Sequence, residues 1–214
     1  MSAFIGVATT RTPDSNKNPS KPLIPIQHFP YQIKLHKSAF KKLEGIHELH
    51  ESVNDQQSLL SLLKKELSSY SIFEFIKIQA FIEKDSKDLP CGYKEKFKEK
   101  MLEQLFVNFK SILSCEDVQN QQLDMEQYLG FLERFGSRLA DMDEMPRMTV
   151  LYYFCAMYNI FITQTPPHPE GTPFPGGFVV EKVGEEYYCP VKEKQEDNIE
   201  AICKFCVARQ MDMQ

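Results

Sequence analysis

Tryptophan is missing altogether from the 214 residues, and glycine is scarce at nine. A collagen-like chain needs glycine at every third position, so that class is excluded, and thirteen prolines scattered along the chain exclude a long coiled coil. Cysteine stands at six, too few for a disulfide-dense secreted scaffold. No apolar run reaches the ~20 residues of a bilayer-spanning helix. The longest, Met148 to Thr163, is broken by Thr149, Asn159 and three tyrosines, and reads as a buried core helix. An excess of positive charge is also lacking. The 25 basic and 30 acidic residues leave a net charge of −5, with no global pull toward nucleic acid or anionic membranes. The N-terminus has neither a basic n-region nor a long apolar h-region. The expectation is a cytoplasmic protein whose thiols are reduced or metal-bound, with no nucleic-acid or membrane partner and any protein partner unspecified.

What is present is a hydrophobic fraction of 42%, enough for one ordinary domain with its own core. Residues 1–29 are rich in Pro, Asn, Ser and Thr and read as a flexible arm. From residue 30 a single helical domain is expected. Ile33, Phe40, Leu43, Ile46 and Leu49 recur at helical spacing, with Ser38 as an N-cap inside that stretch. Asn54 or Asp55 caps the next helix, whose apolar face is Leu59, Leu60, Leu63 and Leu67. A third runs from Ile72 to Ile82, and the Pro90–Gly92 stretch breaks it. Longer helices follow over Tyr93–Leu113, Asp124–Leu139 and Arg147–Ile162. The periodicity thus predicts a mainly α fold, an antiparallel array of about six helices.

Residues 163–214 form a subregion of different character. Five prolines and three glycines between Thr163 and Gly177 exclude helix. Phe178–Val183 and Glu185–Val191 flank Gly184 and predict a short β-hairpin. Asp197 or Asn198 is then positioned to cap a final cysteine-bearing helix through Val207.

Cys189, Cys203 and Cys206 form C-x13-C-x2-C, with Cys155 34 residues upstream of the first. Four thiolates close a tetrahedral zinc site or hold a [4Fe–4S] cluster. Cys203 and Cys206 share a face if the segment is helical, Cys189 ends the hairpin, and Cys155 lies mid-helix facing the core. A metal-free reading competes, because cysteine also behaves as a small buried hydrophobe. One predicted helical pair with two distant single cysteines suits a cluster better than a zinc ribbon. Cys91 and Cys115 lack such company and read as structural or exposed. His168, in a proline-rich loop, is a candidate ligand or acid–base group. His36, His47 and His50 read as surface residues, and the Lys94–Lys100 run as a solvated helix face. No P-loop, catalytic triad or HExxH pattern is present.

The chain from Leu151 to Gln210 resembles an uncharacterised protein family found chiefly in methanogenic archaea. The resemblance is carried by Phe154-Cys-Ala-Met-Tyr158, by His168-Pro-Glu-Gly-Thr-Pro-Phe-Pro-Gly-Gly177, by Tyr187-Tyr-Cys-Pro-Val191 and by Cys203-Lys-Phe-Cys206. It implies no catalytic role. It does imply a strictly anaerobic cytoplasm, which tilts the metal choice toward iron–sulfur. Three expectations follow: an iron–sulfur protein of redox or cofactor-assembly type with Cys155, Cys189, Cys203 and Cys206 as ligands; a zinc-stapled helical interaction module using the same four; or a metal-free binding protein or enzyme built on the His168 loop with Tyr153, Tyr158, Tyr187 or Arg209.

Overall fold

A capping box starts the first described helix. The Asp55 carboxylate accepts the Ser58 backbone N–H at 2.8 Å, while the Ser58 hydroxyl faces the Asp55 N–H at 3.2 Å. The structure is a computed structural model that describes residues 52–86, 92–140, 147–198 and 201–212. The expected arm, the Ile33–Leu49 helix, Cys91 and the three surface histidines lie outside the described residues.

Among the described residues five helices build the body: α1 (Gln56–Leu67), α2 (Ile72–Asp85), α3 (Tyr93–Ser114), α4 (Met125–Ala140) and α5 (Arg147–Met157). Their inward stripes are those of the 3.6-residue pattern: Leu59, Leu60, Leu63 and Leu67 on α1, Phe97, Met101, Leu105 and Ile112 on α3, and Tyr128, Phe131 and Phe135 on α4. α5 is apolar on every side and is buried from Met148 to Met157. It forms the centre of the core, with Tyr153 stacked on Phe135 at 4.5 Å between ring centroids.

α5 does not simply stop. It continues as a π-helical turn, Tyr158–Thr163, that ends at Gln164 in the left-handed region (φ 53°). The wider turn leaves backbone groups that side chains must satisfy. Gln56 donates its amide to the Phe161 carbonyl at 2.9 Å. The Asn159 carbonyl receives the Thr165 N–H at 2.8 Å, and the Asn159 side chain donates to the Pro166 carbonyl at 3.3 Å. The chain is thus turned out of the core and fed into the Pro166–Pro167–His168 loop.

The C-terminal subregion carries a three-stranded sheet. β1 (Glu181–Val183) and β2 (Glu186–Cys189) form the expected hairpin around Gly184. β3 (Arg209–Gln210) pairs with β2 in parallel, setting Gln210 beside Cys189, a pairing the sequence does not announce. A small second core of Val180, Cys189 and Ala208 lies beneath it.

The final helix differs from expectation. Helix α6 is short and early (Lys192–Glu196), and Cys203–Phe205 forms one 3-10 turn with Cys206 extended after it. Side chains from elsewhere take the carbonyls that a helical ladder would use. Arg134 donates to the Asn198 and Ala201 carbonyls, and Lys192 to those of Cys203 and Cys206. The i, i+3 spacing of Ile202 and Phe205, read as a helical stripe, serves a single tight turn that buries both.

Candidate metal centre

Three of the four expected cysteines line one cavity. Cys189, Cys203 and Cys206 stand there, at the junction of the sheet and the loop, together with His168, Pro167 and Lys192. Each arrives by a separate local device. β2 ends on Cys189, and Pro190 turns the chain there. The 3-10 turn brings Cys203 and Cys206 to one side, with the Cys206 N–H bonded to the Cys203 carbonyl at 3.1 Å. The two buried prolines after the π turn lead directly into His168, which lines the same cavity.

Backbone amides and burial act in opposite directions on Cys189 and Cys206. The Ala208 N–H donates to the Cys206 sulfur at 3.5 Å. Burial raises the Cys189 pKa, partly offset by the Val191 and Lys192 backbone and the Lys192 charge. Amides donated to sulfur from two or three residues downstream stabilise negative charge there. With nothing bound, burial dominates at the other two sulfurs. It pushes Cys203 up to about 12, helped by the neighbouring Cys206 and Cys189, and Cys206 up to about 11. The protons on these thiols would have to leave for a metal to enter.

His168 is suited to the same wall. Its ring meets Phe174 edge-on at 5.7 Å between centroids, and burial lowers its pKa to about 4, so the imidazole is neutral at physiological pH. Among the described residues, no hydrogen bond engages its ring nitrogens. The cavity has room for about one water-sized body, on the scale of a single ion rather than an organic ligand. Among the described residues, no three His, Cys, Asp or Glu side chains are already drawn together tightly enough to enclose an ion.

Cys155 is placed elsewhere. It lines a separate buried pocket with Leu105, Asn108, Tyr152 and Asn159, and its sulfur faces the Leu105 carbonyl at 4.0 Å. Burial alone raises its pKa, and no nearby cation or amide counters it. Pro167 lines both spaces and stands between them. Cys115 caps the C-terminus of α3, and its sulfur contacts the Asp117 carbonyl at 3.4 Å, consistent with a structural thiol.

The residues of the metal-free reading scatter. Tyr153 is in the core, Tyr187 lies under Lys182, and Arg209 pairs with Glu186 at 2.6 Å; neither these nor Tyr158 lines the His168 cavity. Lys192 is the group that sequence reasoning passed over. Its place three residues after Cys189, in Cys-Pro-Val-Lys, puts it on the first turn after the ligand strand, and that spacing was the available signal.

No helix among the described residues is long and apolar enough to cross a membrane. No solved structure matches this chain. Among curated proteins, a UPF0305 protein of Methanocaldococcus jannaschii is 38% identical over 161 residues, covering 73% of this chain and 96% of the relative. A UPF0305 protein of Methanothermobacter thermautotrophicus is 30% identical over 158 residues, 72% of this chain and 96% of its own length. Another, from Methanopyrus kandleri, is 32% identical over 122 residues, 56% of this chain and 86% of the relative. The family model for uncharacterised proteins conserved in archaea, DUF2115, matches residues 55–211, from the capping box of α1 to the end of the cysteine subregion. The chain therefore belongs to that archaeal family.

Proposed function

We propose that this protein binds a single divalent metal ion of zinc type through Cys189, Cys203, Cys206 and His168, and that the ion staples the C-terminal subregion to the helical body. The observation that carries the reading is the shared cavity: three thiols and one neutral imidazole line a space of single-ion size. Cys3His is a standard closed zinc set, in which all four positions are filled by protein and no site remains for substrate. The chemistry offered is therefore structural. The Ala208 N–H donated to the Cys206 sulfur supports the same reading, since it stabilises a thiolate whether or not redox chemistry follows.

Anaerobic purification followed by metal analysis tests it. One zinc per chain in colourless protein is the expected result. Cys206→Ser should abolish that stoichiometry, whereas Cys155→Ser should leave it intact. A brown protein with broad visible absorption and several irons per chain would replace this reading with an iron–sulfur cluster, and loss of that colour in Cys155→Ser would restore Cys155 as a ligand. Protein that binds neither zinc nor cobalt(II) after reduction would overturn metal binding altogether.

A further inference from the structure

Three thiolates around a divalent ion leave the site one negative charge in excess, since a neutral imidazole adds none. A buried excess charge is costly unless an opposite charge stands beside it. Lys192 is the cation that lines this cavity. Its side chain is 11% exposed, and its Nζ donates to the carbonyls of both Cys203 and Cys206, the latter at 2.9 Å. Among the described residues it also pairs with the half-exposed Glu196 carboxylate at 3.6 Å, a weaker approach than its bond to the Cys206 carbonyl. Lys192 therefore joins two of the three cysteines: its ammonium ties together the two ends of the Cys203–Cys206 turn.

Resting on the metal-binding reading above, we infer that Lys192 is a positioning residue for the metal: its ammonium offsets the excess charge of a trithiolate–histidine site and holds the Cys203–Cys206 turn in ligating shape. A lysine in this role selects for a site of net charge −1. It matches a divalent ion with three thiolates and leaves a four-thiolate site under-compensated.

The test uses the full chain, with zinc affinity read by chelator competition and with the thiolate-to-cobalt charge-transfer bands of cobalt(II)-loaded protein. Lys192→Met removes charge and donors, Lys192→Gln keeps donors without charge, and Lys192→Arg restores the charge. Second-sphere partners of metal ligands typically contribute about 10- to 100-fold in affinity, and that loss is expected for the Met and Gln variants, with shifted charge-transfer bands. The Arg variant should stay within a few-fold of the parent. Far-UV circular dichroism of the metal-free proteins checks that the helical body is unchanged. Parental affinity in Lys192→Met, or in Lys192→Gln, overturns the charge role while leaving the metal site standing. Equal weakening in all three variants, Arg included, overturns it as well. A parent chain that takes up neither zinc nor cobalt(II) removes both the site and the role.

Discussion

Phe205, the residue between Lys204 and Cys206, does as much to seat the cysteine turn as any ligand. Its ring leaves the turn and enters the helical core, edge-on to Phe131 at 5.5 Å and beneath the Arg134 guanidinium at 5.5 Å. It fits because α4 carries Gly130 at the contact, where an added Cβ would lie 3.2 Å from the Phe205 ring. The helix forgoes roughly 1 kcal/mol of propensity by having glycine there. Phe205→Ala should cost about 3 kcal/mol or more, the range for an emptied aromatic core site. Gly130→Ala should be neutral or destabilising in the parent, because crowding opposes propensity, yet stabilising in the Phe205→Ala background. A denaturation cycle over the four proteins measures the coupling. Additive effects would mean that Gly130 is not kept small by Phe205.

Among elements, the π turn after α5 is the one that aims the site. Its cost is visible in the buried amide of Gln56, which reaches across from α1 to the Phe161 carbonyl. Gln56→Leu should leave that carbonyl unpaired and destabilise the fold by about 1–3 kcal/mol, with faster amide exchange concentrated in residues 158–165. Uniformly faster exchange instead would contradict a local role. This element also shows where sequence reading ends. Helix α5 was legible from its apolar run, and α3 and α4 from their stripes, almost to the residue. An extra residue per turn leaves no trace in hydrophobic periodicity when every side of the helix is buried. The cysteine turn failed for a different reason. Cys203 and Cys206 read as one face of a helix, but i, i+3 spacing is shared by an α-helix and a single 3-10 turn. What decides between them is which distant side chains, here Arg134 and Lys192, take the carbonyls. The grouping of Cys189 with Cys203 and Cys206 around one cavity could be read from spacing; that His168 lines the same cavity and Cys155 another needed the three-dimensional path of the proline loop.

At the scale of the whole molecule, two cores of unequal size meet at one seam. The helical core is extensive and needs no metal to bury its surface, whereas Val180, Cys189 and Ala208 make a core too small to hold a sheet by burial alone. On the proposed zinc reading, removing the ion with a chelator should therefore loosen residues 166–211 selectively. Far-UV circular dichroism should keep most of its helical signal, while hydrogen exchange rises across β1–β3 and the cysteine turn. Cooperative loss of all helix on chelation would show that the two cores are one folding unit.

The seam has a direction in time. Every helix of the body is synthesised before His168, and all four proposed ligands follow the helical body, with Cys206 last. Chains fold from the N-terminal side as they emerge, so the body can form while the last ligands are still unmade. Until Phe205 arrives, the groove at Gly130 stands open and the rings of Phe131 and Tyr153 lie nearer the surface than they will in the finished protein. The growing chain thus passes through an interval in which this aromatic surface is uncovered, and it is closed by a residue lying between two cysteines.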